Sequence, residues 1–179
     1  MIVHDVSWEI DAPREEIWSI FHPEPKRDPR ETSLFNPRVI THGDVRIEVI
    51  NEGDETGLGL VRRAWFKVPW WIGGKARSWE MITECRPPEF HRYDAVGLPP
   101  KSSAVGWFRL EDIGGGRTRF HFHEEYRMEN RWLAWLIERP VHRFISKDND
   151  KAVYGMIMNG LKAKREAQAG REGGAPGEG

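Results

Sequence analysis

The sequence predicts an α+β domain, in which a strand and a short helix precede an antiparallel meander and a long helix closes the chain. Three observations predict it. Residues 3–11 alternate in the manner of a half-buried strand, and six strand-like runs follow one another between residues 44 and 128. From about Arg131 to Arg165 the apolar period changes from two to that of a helix.

The elements follow in order. In VHDVSWEID, residues 3–11, Val6, Trp8 and Ile10 oppose Ser7, Glu9 and Asp11. Pro13 then suits a first helical turn, Glu15 and Glu16 sit where the helix dipole favours anions, and Ile17, Trp18 and Phe21 supply the apolar side. His22–Pro37 holds four prolines and many charges, which reads as a turn, one short helix and irregular chain. After the meander, Trp132, Leu133, Leu136 and Ile137 form one stripe. Beyond Pro140 the stripe shifts around the axis to Phe144, Ile145, Ala152, Val153, Met156 and Ile157, so a break or kink is expected at the proline. Residues 166–179 (EAQAGREGGAPGEG) have nothing to bury and are expected to be a disordered tail, which leaves residues 1–165 as the domain.

The joins of the meander alternate in character. NEGDETG (51–57), RPPE (86–89) and DIGGGR (112–117) are polar, whereas VPWWIGG (68–74), VGLPPK (96–101) and ENRWLAW (129–135) are rich in tryptophan, proline and aliphatics. Every second connection of a meander falls at the same end of the sheet, so one end is wet and the other greasy. A greasy end marks a place where something apolar enters, docks or is covered.

Composition narrows the function. With 179 residues, 39% of them hydrophobic, the chain is long enough for one domain with a sizeable core. Nine tryptophans favour a large aromatic-lined interior or contact surface. A net charge of −1 gives no electrostatic case for nucleic acid, whose phosphates require a basic face. One cysteine, Cys85, excludes an internal disulfide and any cysteine-rich zinc site. Residues Met1–Asp5 show no charged leader followed by an apolar run, and no stretch approaches the ~20 apolar residues of a membrane span, so a cytoplasmic protein without stable membrane insertion is expected.

The order of elements resembles the helix-grip fold of the START/Bet v 1-like (SRPBCC) superfamily, in particular its bacterial polyketide cyclase/dehydrase-like members. The resemblance rests on WEIDAPREEIW (8–18), the Gly57-Leu58-Gly59 lead-in to a strand and WEMITECRPP (79–88). It also includes the Gly-rich turn before RTRFHF (117–122) and the closing helix that ends Asn159-Gly160-Leu161-Lys162. It implies a curved seven-stranded antiparallel sheet wrapped around the C-terminal helix, with an apolar cavity between them. It further implies an apolar ligand such as a lipid, sterol or polyketide, no cofactor, and in some members cyclisation or aromatisation.

The site residues come from the alternation itself. In the last strand Phe120, Phe122, Tyr126 and Met128 share one face, against Arg119, His121, His123, Glu125 and Arg127 on the other; a one-residue slip would bury five polar groups. Glu124 then falls on the apolar face, where burial raises a carboxyl pKa; the plainer role is an ion pair with an arginine such as Arg62. Trp79, Met81, Thr83 and Cys85 are expected inward against Ser78, Glu80 and Glu84, and so are Ala104, Gly106, Phe108 and Leu110. The run 58–68 leaves two faces open, one of which buries Arg62. His91 and Tyr93 are minor candidates. His121 and His123 share a face but lack a third ligand, so no metal is expected.

Trp79, Met81, Phe108, Phe120, Phe122, Tyr126 and Phe144 are therefore the expected ligand lining. Trp70, Trp71, Leu98, Pro99 and Trp132 are the expected entrance, serving as a lid, a homodimer contact or a membrane-touching tip. The leading function is binding or carriage of a hydrophobic small molecule, anchored by Arg62, Glu124 and Tyr126. The alternative is a cofactor-independent polyketide cyclase/aromatase or dehydratase, with Glu124 as base and Arg62 or Tyr126 holding the enolate oxygen. A third is a protein or membrane interaction module that uses the tryptophan-rich end.

Overall fold

The computed structural model describes residues 1–24, 28–42, 45–67, 70, 73–98 and 101–172. Strand β1 (Ile2–Ile10) leads into helix α1 (Arg14–Phe21) and a short 3-10 turn (Pro29–Glu31). Strands β2 (Arg38–His42), β3 (Val45–Asn51), β4 (Val61–Lys67), β5 (Lys75–Arg86), β6 (Phe90–Leu98), β7 (Ser102–Gly114) and β8 (Arg117–Met128) follow, and helix α2 (Arg131–Glu172) ends the described chain. All eight strands form one antiparallel sheet in the order β1-β8-β7-β6-β5-β4-β3-β2. This is the expected α+β architecture with one strand more than the seven anticipated. The addition, β2, pairs only with β3 and lies at the edge, where a five-residue strand with Arg38 and Thr41 carries little periodic signal.

Both helices lie on one face of the sheet, α2 against α1, β8, β1 and β2, and α1 also against β7. Asn130 caps α2 by accepting a bond from the Trp132 amide at 3.1 Å, directly after β8 ends. A break or kink is expected at Pro140; the helix runs through it as a single element, without the break and with one backbone donor missing. It also continues to Glu172, past the point where composition argued for a tail.

The wet half of the inner face is aromatic. Phe108 and Phe120 pack against Trp18 and Phe21 of α1, with Phe21 4.7 Å from Phe108 and 5.6 Å from Phe120, and Trp8 stacks on Phe120. Phe120 is completely buried. Truncating such a side chain typically costs ~3–5 kcal/mol, so this cluster is a main anchor of the helix-to-sheet packing. At Gly160 a Cβ would stand 2.9 Å from three atoms of Ile20, so a missing side chain lets α2 approach α1 closely.

The face of β8 is as the alternation predicts: Phe120, Phe122, Tyr126 and Met128 are buried. On its outer face His123 meets Asp5 at 2.8 Å and stacks on Trp107, while His121 lies 3.5 Å from Glu111. In β4 the inward set is Arg62 and Ala64, following Leu60. Strand β5 corrects the expectation. Ala76 and Ile82 are buried, Glu80 meets Arg62, and Met81 is exposed. Trp79 lies 5.3 Å from the Arg63 guanidinium, which is tied to the outer-face carboxylate Glu48. A bulge between Ile82 and Glu84 changes the strand's phase, so a single alternation cannot hold along its length.

Candidate functional site

A polar row crosses the inner face just beyond the aromatic half. The ladder places His4 opposite Glu124, Glu124 opposite Gly106, and Gly106 opposite Tyr93. The Tyr93 ring occupies the space a side chain at position 106 would fill: a Cβ there would stand 2.3 Å from the ring. Tyr93 thereby reaches across β7 and donates from its hydroxyl to Glu124 Oε1 at 2.9 Å.

The neighbouring row carries the cation. Arg62 Nε donates to Glu80 Oε2 at 2.6 Å, and its guanidinium lies 5.9 Å from the Tyr93 ring centroid. Arg62 thus pairs with Glu80 and approaches Glu124 through the Tyr93 ring, in place of the direct ion pair that the sequence suggests. At the far end of the row His4 meets Asp150 of α2 at 2.7 Å. Burial raises the Glu124 carboxyl above the usual carboxylate range; the Tyr93 bond opposes this, and the Glu80 charge adds to it. Burial and the same two carboxylates hold the Tyr93 hydroxyl well above the ordinary phenol value.

A second polar group lies beside α1. His22 Nε2 and His91 Nδ1 share a hydrogen bond at 2.9 Å, and His22 stacks on Trp18. His91 is fully buried, and its Nε2 has no hydrogen-bond partner among the described residues. Burial, then Arg62 and Arg38, push the His22 pKa down to about 3. Burial, Arg62 and His22 likewise lower His91. Both rings are neutral near pH 7.

An apolar cavity of about 10 Å³ lies between these groups and the helices. Its walls are Ile20 and Phe21 of α1, Ile40, Ile47 and Val49 of β2 and β3, Leu60, and Met156 of α2. Among the described residues its charged lining is Arg38 and Arg62. Arg38 is held by Glu52, which also accepts from Thr32 at 2.9 Å.

Of the residues expected in the site, Arg62 lines this cavity, Glu124 lies in the polar row and Tyr126 is buried opposite Ala104 in the next row. Phe108 and Phe120 are core beneath α1, and Phe122 is buried beside them. Met81 and Trp79 belong to the outer face of β5. The side chain of Phe144, and Trp71 and Pro99 altogether, lie outside the described residues. Trp70 and Trp132 are 86% and 85% exposed, so neither is folded down over the sheet–helix seam in the manner of a closed lid. Sequence reading gave Tyr93 only minor weight and did not single out Glu80, His22 or Arg38. The signal available was a Tyr and a Gly on two neighbouring strands, which becomes legible only once their register is known. Among the described residues no group of three His, Cys, Asp or Glu side chains is arranged to hold a metal, and no helix is long and apolar enough to cross a membrane.

Solved structures share this architecture. A conserved protein from Geobacillus kaustophilus aligns over 90% of this chain and 97% of its own, with 15% identity and a TM-score of 0.57. Ara h 8.0201 aligns over 90% of this chain and 99% of its own, at 15% identity and TM-score 0.55. The fold is the Bet v 1-like helix grip. The di-domain ARO/CYC BexL from the BE-7585A biosynthetic pathway aligns at 16% identity and TM-score 0.55 over 89% of this chain but only 46% of its own length. No family model and no curated protein sequence matches the chain. At such identities the likeness extends to the Bet v 1-like fold and stops there.

Proposed function

We propose that the protein binds a hydrophobic small molecule between the sheet and its two helices, with Arg62, Tyr93 and Glu124 as polar anchors. The observation that carries this reading is the cavity itself: seven apolar side chains surround it, and the charged groups on its wall, Arg38 and Arg62, are each already held by a carboxylate. Apolar walls with a few placed polar groups suit a ligand that is largely hydrocarbon. At about 10 Å³ the cavity accommodates no more than about one water, so uptake requires α1 and α2 to move away from β2–β4. The test is titration with a fluorescent fatty-acid or sterol-like probe, together with native mass spectrometry of the purified protein. Saturable one-to-one binding that weakens in Leu60→Arg, whose added charge intrudes on the apolar wall, supports the reading. Absence of saturable binding to any apolar probe removes it.

One observation favours a second reading, a cyclase or dehydratase in the same space. A carboxyl whose pKa is raised by burial and which accepts from a phenol is suited to taking a proton beside a carbonyl. Glu124→Gln separates the two. A binding protein keeps its probe affinity within a few fold, whereas an enzyme using this base loses at least ~100-fold in rate.

A further inference from the structure

The described tryptophans of this chain differ in exposure by position. Trp18 is buried in the core, Trp8, Trp79 and Trp107 are half-covered on the sheet, and Trp65 of β4 is 42% exposed. Trp70, Trp132 and Trp135 are 86%, 85% and 84% exposed. Trp70 lies between β4 and β5, and the other two lie in the first turns of α2. The antiparallel order puts both segments at the same end of the sheet, with Leu98, also exposed, at the close of β6. Three nearly bare indoles at one end are a large apolar area for a surface facing only water.

Charge divides along the same axis. Among the described residues at this end, the ends of β2, β4 and β6, the starts of β3, β5 and β7, and residues 128–135 contain five cations (Lys67, Lys75, Arg77, Lys101 and Arg131) against one carboxylate, Glu129, which pairs with Lys101 at 2.7 Å. At the opposite end, residues 11–16, 51–60, 86–89, 111–117 and 162–166 contain ten carboxylates against six cations. A chain of net charge −1 is thus positive at its tryptophan-rich end and negative at the other. Indole prefers the boundary between headgroups and acyl chains, and cations beside it are drawn to anionic headgroups. A second copy of the chain would set the same positive ends against each other, whereas an anionic bilayer complements both the charge and the apolar area.

We propose that the end of the molecule carrying Trp70, Trp132 and Trp135 docks on an anionic lipid surface, with the indoles at headgroup depth and the negative end directed away. This goes beyond ligand binding and stands or falls separately from it. The test is co-sedimentation with phosphatidylglycerol/phosphatidylcholine vesicles and with phosphatidylcholine vesicles alone. Binding to the mixed vesicles is expected, with a blue shift of tryptophan emission and weakening as salt rises. The triple variant Trp70→Ala, Trp132→Ala, Trp135→Ala should lose at least about tenfold in affinity. Lys75→Glu with Lys101→Gln should lose at least about fivefold, the contribution of one cation near the surface. Quenching of the wild-type tryptophans by brominated lipid checks the docking depth without any variant, should the triple replacement impair folding. The proposal is overturned if mixed vesicles do not bind, if binding ignores both the tryptophans and the lipid charge, or if brominated lipid fails to quench. A dimer that the tryptophan variants abolish, without vesicle binding, would assign the surface to a second copy.

Discussion

Gly106 decides what the polar row can be. With any side chain at that position Tyr93 could not lie across β7, and Glu124 would lose the one bond shown at its Oε1. The phenol donates to the carboxylate form and so holds the Glu124 pKa down against burial. Tyr93→Phe should therefore raise that pKa further, a shift readable by carbon-13 NMR titration of the carboxyl; an unchanged or lower value would mean that the bond is not made. The His22–His91 pair has the opposite linkage. In the folded state His22 titrates near 3, against 6.5 when unperturbed. Between those values the unfolded chain takes up a proton that the folded one refuses, so stability falls as pH drops through this window. Arg62, Arg38 and His91 all face the ring and none supplies a compensating negative charge. Urea midpoints measured from about pH 7 down to about pH 4 should fall in the wild type and fall less in His22→Gln, which removes one of the two titrating rings.

Among the elements, the contact of α1 with α2 is the most demanding. Replacing a helical glycine by alanine ordinarily stabilises by up to about 1 kcal/mol. At Gly160 the added carbon would meet three atoms of Ile20 at 2.9 Å, and Ile20 is itself buried. Overpacking of a closed core typically costs about 1–3 kcal/mol, so Gly160→Ala should destabilise, with a lowered midpoint in urea as the readout. The same scale explains what was legible beforehand. The face of β8 was readable because Phe120 and Phe122 alternate with His121 and His123, leaving one register that keeps the polar set out. The face of β5 was not, because the bulge between Ile82 and Glu84 carries no glycine or proline to announce it. Reading back from Cys85 therefore turned Met81 and Trp79 the wrong way. β2 went unseen because a short edge strand is fixed by its partner, β3, more than by its own pattern. Glu124 could be placed on the apolar face, but its partner could not, since joining it to Tyr93 requires the register of three strands at once.

For the molecule as a whole, the small cavity sets a thermodynamic expectation. An apolar ligand that binds only the folded chain adds about 2.7 kcal/mol when present at a hundred times its dissociation constant. For a domain of this size that should raise the melting temperature by about 5–10 °C, measurable by calorimetry; a flat response to every apolar probe would leave the cavity without a tenant. Folding adds a separate requirement. The meander is built from successive hairpins, and each hairpin has competing alignments two residues away that keep the same faces inward. In β7 those alignments would bring Ala104 or Phe108 beneath the Tyr93 ring in place of Gly106. Either one puts a side chain where the ring must lie and leaves the partly buried Glu124 without its phenol. The bare position at Gly106 therefore acts as an error check on assembly: three strands can close together only when the chain has counted correctly.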